Sequence, residues 1–534
     1  MHRLVMIKSI LTASMPVFVS AVLYSLSQSV ESVWFLSIIA LVPLMYAVTR
    51  EKSCKRLLGF GILWGVSITT GTAYWIIHAL LFHYEKSPLF AFSFFLFLVA
   101  LPVGILYGLF FPLFTLFEHR TGIFLCCVFP SLWVISEYIR ELVPVFIPWG
   151  LAGYTAAGDI RIAQAASLIG VYGLSFIVAL FNGLFFKAFS EMSSYIISMR
   201  WKTAGFRFIF TGGPIYSLSA VSILIVLLLV YGDFALKEWS PTGSIVSNAE
   251  KEVRVTIVQG SHDVKERWND HGFEPRLLAY LSLTEKAVQG SRSENIVVWP
   301  ETILNSPVAF SARSMGLISS SIPDGCVLLS GGVREDSFSN SYNSILQIRD
   351  GRIAGWYDKR VLLPFAEYTP FGSMILGKFY DSPDRFRRGF ETSLLETAGI
   401  PVGASICFEL VYPSHIAGSV QRGARILVNV SNDSWFGRTS QPRQHHRIAR
   451  MRAIEARRYL VRSSNSGISS VIAPTGEVMA ETGLGEIGAI SASIRPVDAI
   501  SPYHRHGDLI VLISLAVAII SLAARALPAR QNAA

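Results

Sequence analysis

Up to about Phe234 the chain is a succession of long apolar runs joined by short charged loops, and that pattern alone demands a membrane architecture. A helix needs about 20 residues to cross the hydrocarbon core. Runs of suitable length fall at 9–26, 32–49, 58–83, 89–117, 122–139, 163–187 and 214–235, with an eighth at 508–525. The run at 89–117 is long enough to require tilt or a break. The first run has a basic head, Arg3 and Lys8, as a signal peptide would. Further spans follow at once and no small-residue cleavage site closes it, so it reads as an uncleaved anchor. Across the 534 residues only 16% are charged and 51% are hydrophobic, against about 25% charged in soluble chains.

The basic residues set a predicted orientation. With the N-terminus in the cytoplasm, thirteen Lys and Arg residues fall in inside segments, among them Arg50, Lys52, Lys55, Arg56, Lys187 and Arg200. Only Lys86, Arg140 and Arg161 fall outside. The positive-inside rule then sends residues 237–507 to the exterior, with both termini in the cytoplasm. The formal net charge of +9 is thus a topology signal, and no basic helix or nucleic-acid module accompanies it. No nucleic-acid partner is expected. The segment Glu141 to Ala165, apolar but broken by Pro144, Pro148, Gly150 and Gly153, is expected at the membrane interface, with Trp149 and Tyr154 at headgroup level.

The predicted organisation is a seven-span membrane domain at 1–236, a soluble domain at 237–507, and a final helix with a tail at 508–534. The soluble block is large enough to bury its own core. Val253 to Val258, Ile296 to Trp299, Val327 to Ser330, Val402 to Ile406 and Ile426 to Val430 are non-alternating Val/Ile-rich runs, which suit strands covered on both faces. Helical patterns intervene at about Pro275–Val288 and Pro442–Tyr459. This predicts a layered α/β domain.

Three predicted strand ends carry reactive groups. Val297-Val298-Trp299-Pro300-Glu301 ends in a carboxylate, Tyr357-Asp358-Lys359-Arg360 in an ammonium, and Ser405-Ile406-Cys407-Phe408-Glu409 in a thiol. A thiol nucleophile, a carboxylate to take its proton and a cation for the oxyanion make a covalent acyl-transfer catalyst. The five cysteines lack the paired spacing of a zinc site. Cys326 reads as a buried free thiol, with a Cys326–Cys407 disulfide as the alternative. His445 and His446 are adjacent and diverge by about 100° on a helix, so neither a metal nor a cofactor is assigned.

The ordered set resembles the nitrilase (carbon–nitrogen hydrolase) superfamily, with Leu363-Pro364-Phe365-Ala366-Glu367-Tyr368, Asn432-Asp433-Ser434-Trp435-Phe436-Gly437, Asn465-Ser466-Gly467 and Pro474-Thr475-Gly476 in the expected order. A nitrilase-like domain between a seventh and an eighth span is similar to the apolipoprotein N-acyltransferase family. Val258-Gln259-Gly260 with Trp268, Pro148-Trp149-Gly150, Gly170-Val171-Tyr172-Gly173 and Gln444-His445 extend the likeness over most of the chain.

That resemblance implies an α-β-β-α catalytic domain outside a bacterial inner membrane. Glu301 would be the general base, Lys359 the oxyanion stabiliser and Cys407 the nucleophile. Glu367 and Glu409 would support them, and Trp268, Phe408 and Trp435 would contact substrate. It also implies a phospholipid acyl donor and a diacylglyceryl-modified apolipoprotein acceptor. Phe408 and Ala366 depart from the family's usual Tyr and Gly. Phe371 to Leu376 is a candidate lid. A membrane-tethered amidase or nitrilase using the same three groups is the competing reading.

Overall fold

The computed structural model describes residues 2–117, 122–200, 214–247, 252–263, 272–289, 295–305, 307–369, 386–390 and 394–526. Trp268 and the candidate lid lie outside them. The chain divides into two compact units, one of 1–77, 87–232 and 508–534, the other of 78–86 and 233–507.

The first unit is helical. Among the described residues, four helical segments are long and apolar enough to cross a membrane: Glu31–Val48, Pro88–Leu116, Ala166–Ser194 and Pro214–Ser247. The pair Cys54–Ala73 and Trp75–Phe82 makes a fifth if its 58° bend is taken within one span. The long run is one helical segment with irregular turns inside it: Phe95–Ala100 is π-helical and Phe111–Leu116 is 3-10. The run expected from residue 163 begins its long helix at Ala166, and Gly170, at φ +67°, interrupts it. A residue with no Cβ takes that left-handed turn without strain.

Close helix contact explains several glycines here. A Cβ on Gly61 would lie 2.2 Å from the Tyr107 carbonyl oxygen, and one on Gly65 would lie 2.7 Å from the Gly104 Cα. In lipid, association depends on such backbone approach rather than on apolar burial. Around them Trp64 packs edge-on to Tyr107, Trp133 and Tyr24, with centroids 4.8–5.5 Å apart.

Within the segment expected at the interface, the two aromatic residues are packed inside this unit. Trp149 and Tyr154 are buried, and the Trp149 ring lies edge-on to Trp75. Arg140, expected in an outer loop, sits in the last turn of helix Phe129–Leu142. Its guanidinium donates to the carbonyls of Ile147 and Trp149, at 2.9 and 2.6 Å. Those bonds satisfy loop carbonyls that headgroup water would otherwise have to meet.

The second unit is a two-sheet sandwich. One sheet holds β1 (Val253–Gln259), β2 (Asn295–Leu304), β3 (Val327–Glu335), β4 (Ser341–Arg349), β5 (Arg352–Asp358) and β12 (Gly488–Ile494), in the order β12-β1-β2-β3-β4-β5. The other holds β6 (Leu395–Thr397), β7 (Ile400–Ile406), β8 (Ile426–Ser431), β9 (Tyr459–Ser464), β10 (Ser470–Ile472) and β11 (Val478–Glu481), in the order β11-β10-β9-β8-β7-β6. β1, β2 and β3 are parallel, as are β7, β8 and β9.

Period-two alternation divides each inner strand between two cores. Val255, Ile257, Val298 and Leu329 meet Val402, Ile406, Val428 and Val461 between the sheets. Val258, Val297, Trp299 and Leu328 face outward onto helix Phe273–Val288 and its neighbours. Burial on both faces is why these strands read as unbroken apolar runs. Each such side chain contributes about 1.5–3 kcal/mol. The predicted helix at 442–459 runs over Gln441–Ala456 and stops where Arg457 turns left-handed at φ +52°. Tyr459 therefore opens β9 rather than ending the helix.

Candidate active site

β5 is antiparallel to β4, which is antiparallel to β3, so β5 runs with β2 and their C-terminal ends share one edge. Glu301 is near the end of β2, within a register shift between Trp299 and Leu304. Thr302 beside it is left-handed at φ +56°. The bulge fits because its neighbour is glycine: a Cβ on Gly331 would stand 2.4 Å from the Glu301 Cα. Bulges of this kind re-aim a side chain out of the ladder.

Lys359 follows β5 immediately and is only 2% exposed. Its Nζ donates to Glu367 Oε1 at 2.9 Å and lies 3.6 Å from Glu301 Oε1. Burial disfavours the ammonium, but the carboxylates of Glu367 and Glu301 outweigh it and raise its pKa. Glu367 is held in turn, since its Oε2 accepts the Leu363 N–H at 2.8 Å.

Sequence reasoning missed Asn343. Its Nδ2 donates to Glu301 Oε1 at 2.8 Å and to Glu367 Oε1 at 2.9 Å, spacing the two carboxylates on either side of the ammonium. A signal was available, because asparagine is depleted in strands and this one lies within β4, paired with Val333.

Cys407 ends β7 with φ +50°, a left-handed bend at a residue other than glycine. It opens a 3-10 turn, Cys407–Val411. Burial, reinforced by the Glu301 carboxylate and partly offset by Lys359, pushes its thiol up to about 12. The resting group is thus a thiol that needs a base. Alkylation of Cys407 by iodoacetamide should therefore rise about tenfold per pH unit from roughly pH 7 to 10, because the thiolate is the nucleophile. Levelling near the ordinary cysteine value of about 8.5 would contradict this reading.

Glu409 touches neither Lys359 nor the thiol through its hydrogen bonds. Fully buried, it accepts the N–H groups of Arg360 at 2.6 Å and Val361 at 2.9 Å on Oε1. On Oε2 it accepts the Ile406 N–H at 2.8 Å and the Tyr357 hydroxyl at 2.9 Å. It ties the segment after Lys359 to the strand end before Cys407.

The three residues expected at the substrate differ. Phe408 is buried with its ring edge-on to Tyr412. Trp435 stacks on Tyr84, with centroids 5.4 Å apart. Trp268 is outside the described residues. All five cysteines are free, and Cys326 is buried, so Cys326 and Cys407 are not joined.

Behind Cys407 lies a buried polar group to which the sequence had lent no role. Asp433 accepts from Arg462 Nη2 at 2.7 Å and lies 3.1 Å from His445 Nδ1. Burial opposes its charge, but Arg462 and His445 hold the Asp433 carboxyl well below the usual range. Burial, then the Arg462 charge, lowers the pKa of His445.

A bulged carboxylate, a buried ammonium and a strained thiol at the edge of a two-sheet sandwich accompany a match to the carbon–nitrogen hydrolase family over residues 254–501. Residues 20–184 match the apolipoprotein N-acyltransferase N-terminal domain. The apolipoprotein N-acyltransferase of Rhodopseudomonas palustris is 32% identical over 410 residues, covering 73% of this chain and 72% of that one. That of Geobacter metallireducens is 29% identical over 507 residues, covering 92% and 91%. A solved carbon–nitrogen hydrolase from Helicobacter pylori aligns with 52% of this chain and 95% of its own, at 16% identity and a TM-score of 0.35. The chain belongs to the apolipoprotein N-acyltransferase family.

Proposed function

We propose that the chain transfers an acyl chain from a phospholipid, through a Cys407 thioester, to the α-amino group of the lipid-modified N-terminal cysteine of apolipoproteins. The observation that carries this is the buried Lys359 ammonium, shared between Glu301 and Glu367 and acting on the Cys407 thiol. Glu301 takes the thiol proton as Cys407 Sγ attacks the ester carbonyl. Lys359 stabilises the oxyanion. Collapse breaks the ester C–O bond, and the departing glycerol oxygen takes the proton from Glu301, leaving a lysophospholipid and the thioester. The acceptor amine then attacks, Glu301 takes its proton, and the amide forms as the thiolate leaves and is reprotonated. Glu367 and Asn343 hold the ammonium and the base, and Glu409 holds the segment after Lys359 to the strand end before Cys407.

In this reading residues 1–236 form a seven-span membrane domain, 237–507 a periplasmic catalytic domain, and 508–534 an eighth span with a cytoplasmic tail. The host membrane is the bacterial inner membrane, and the orientation is supported by the distribution of basic residues. Both substrates are membrane-anchored, so the spans would hold the site at the bilayer and limit water while the thioester waits. Trp268, Phe408 and Trp435 are proposed to contact substrate. A tethered amidase is not favoured, because the membrane region itself matches an N-acyltransferase domain.

Intact mass spectrometry of the protein after incubation with phospholipid alone tests the proposal. The wild type should gain one acyl chain, released by hydroxylamine, and Cys407→Ala should gain none. A folded wild type that acquires no adduct would sink the thioester route.

A further inference from the structure

The left-handed backbone at Cys407 costs about 1–3 kcal/mol and persists only where its surroundings impose it. What imposes it is visible at the Cys407 carbonyl oxygen, which faces His445 Nε2 at 3.2 Å and accepts from Asn429 Nδ2 at 3.4 Å. A carbonyl can only accept, so His445 Nε2 carries the proton. The other ring nitrogen, Nδ1, lies 3.0 Å from Arg462 Nη2 and 3.1 Å from Asp433 Oδ1, and these two contacts fix the orientation of the ring. Arg462 Nη1 donates to Asn429 Oδ1, so Asn429 must turn its amide nitrogen toward the cysteine. One buried guanidinium therefore orients both donors to the same carbonyl. Asp433 balances its charge, and Ser431 and Ser464 donate to that carboxylate at 3.1 and 3.2 Å.

We propose that His445 is a positioning residue for the nucleophile: its Nε2–H, oriented by Arg462 and joined by Asn429, holds the Cys407 peptide in the bend that presents the thiol to Glu301 and Lys359. This rests on the reading of Cys407 as the nucleophile. Removing such an outer support typically costs about 10–100-fold in function, through the geometry of the reacting group rather than through substrate affinity.

The test compares His445→Gln with His445→Asn in the full-length protein. The Gln amide nitrogen reaches about as far as Nε2, whereas the Asn amide reaches only as far as Nδ1. Two rates are read: acyl-adduct formation from palmitoyl-oleoyl phosphatidylethanolamine in mixed micelles, and alkylation of Cys407 by iodoacetamide. Asn is expected to slow adduct formation about 10–100-fold, with the KM for phospholipid within about twofold of wild type. Gln is expected to recover the rate to within about threefold of wild type, at the same melting temperature as Asn. Equal rates for Gln and Asn, or losses that follow melting temperature, overturn the proposal. Should the wild type itself form no adduct, the alkylation rates still decide, with Gln above Asn supporting the inference and equality overturning it. Should the Asn variant not fold, Asn429→Ser removes the second donor from the same carbonyl, and an unchanged adduct rate there overturns the proposal.

Discussion

Lys359→Met is expected to abolish acyl transfer and to destabilise the catalytic domain by about 3–5 kcal/mol, the usual cost of removing one partner from a buried ion pair. Both carboxylates within reach of the ammonium, Glu301 and Glu367, share the donors of Asn343 and would be left facing each other across it. Methionine fills most of the lysine volume, so packing is largely retained and the loss is electrostatic. Activity should fall below about one part in 10³, since a missing oxyanion donor alone costs about 10²–10³ and the base is misplaced as well. Thermal unfolding followed beside acyl-adduct formation checks both halves. A variant as stable as wild type, or one that still acylates, would show that the cluster tolerates two uncompensated carboxylates.

The second large effect is expected at Glu409, for a different reason. Glu409→Ala removes four acceptor bonds from a fully buried position and leaves three backbone N–H groups and the Tyr357 hydroxyl without that partner. Each unpaired buried donor costs about 1–3 kcal/mol, so the domain should melt well below the wild type and lose activity together with its fold. Glu409→Gln separates the two. It keeps one carbonyl acceptor but turns an NH₂ toward two donors, so it should fold and yet acylate about 10–100-fold more slowly, because the segments carrying Lys359 and Cys407 are no longer clamped. Unchanged melting of the Ala variant would remove Glu409 from its assigned place.

Why some of this could be read from residue order, and some not, follows from the range of each interaction. Val-rich strands such as Val253 to Val258 and Val402 to Ile406 declare themselves locally, because burial on both faces writes an unbroken apolar run. The candidate groups Glu301 and Cys407 declare themselves too, each beside such a run, whereas Lys359 follows the half-exposed strand that ends in Tyr357 and Asp358. The supporting contacts do not. Asn343 meets Glu301 across 42 positions, and Arg462 meets Asp433 across 29, distances over which no periodicity carries. Glu409, two residues from the thiol, invited the reading of a partner for Lys359, whereas its carboxylate bends back onto backbone. Nor does residue order show Arg140 collecting the carbonyls of the loop that carries Trp149.

The sandwich divides its chemistry between its halves. The proposed base and cation ride on the sheet of β2 and β5 and the proposed nucleophile on the sheet of β7, and the apolar side chains packed between the sheets, with the Glu409 clamp, keep them in register. Loosening of that seam would part the thiol from the carboxylate proposed to deprotonate it. A damaged or half-folded molecule is consequently silent rather than leaky. For a catalyst proposed to cleave the lipids of the membrane that houses it, failure by disarmament protects the host from its own enzyme.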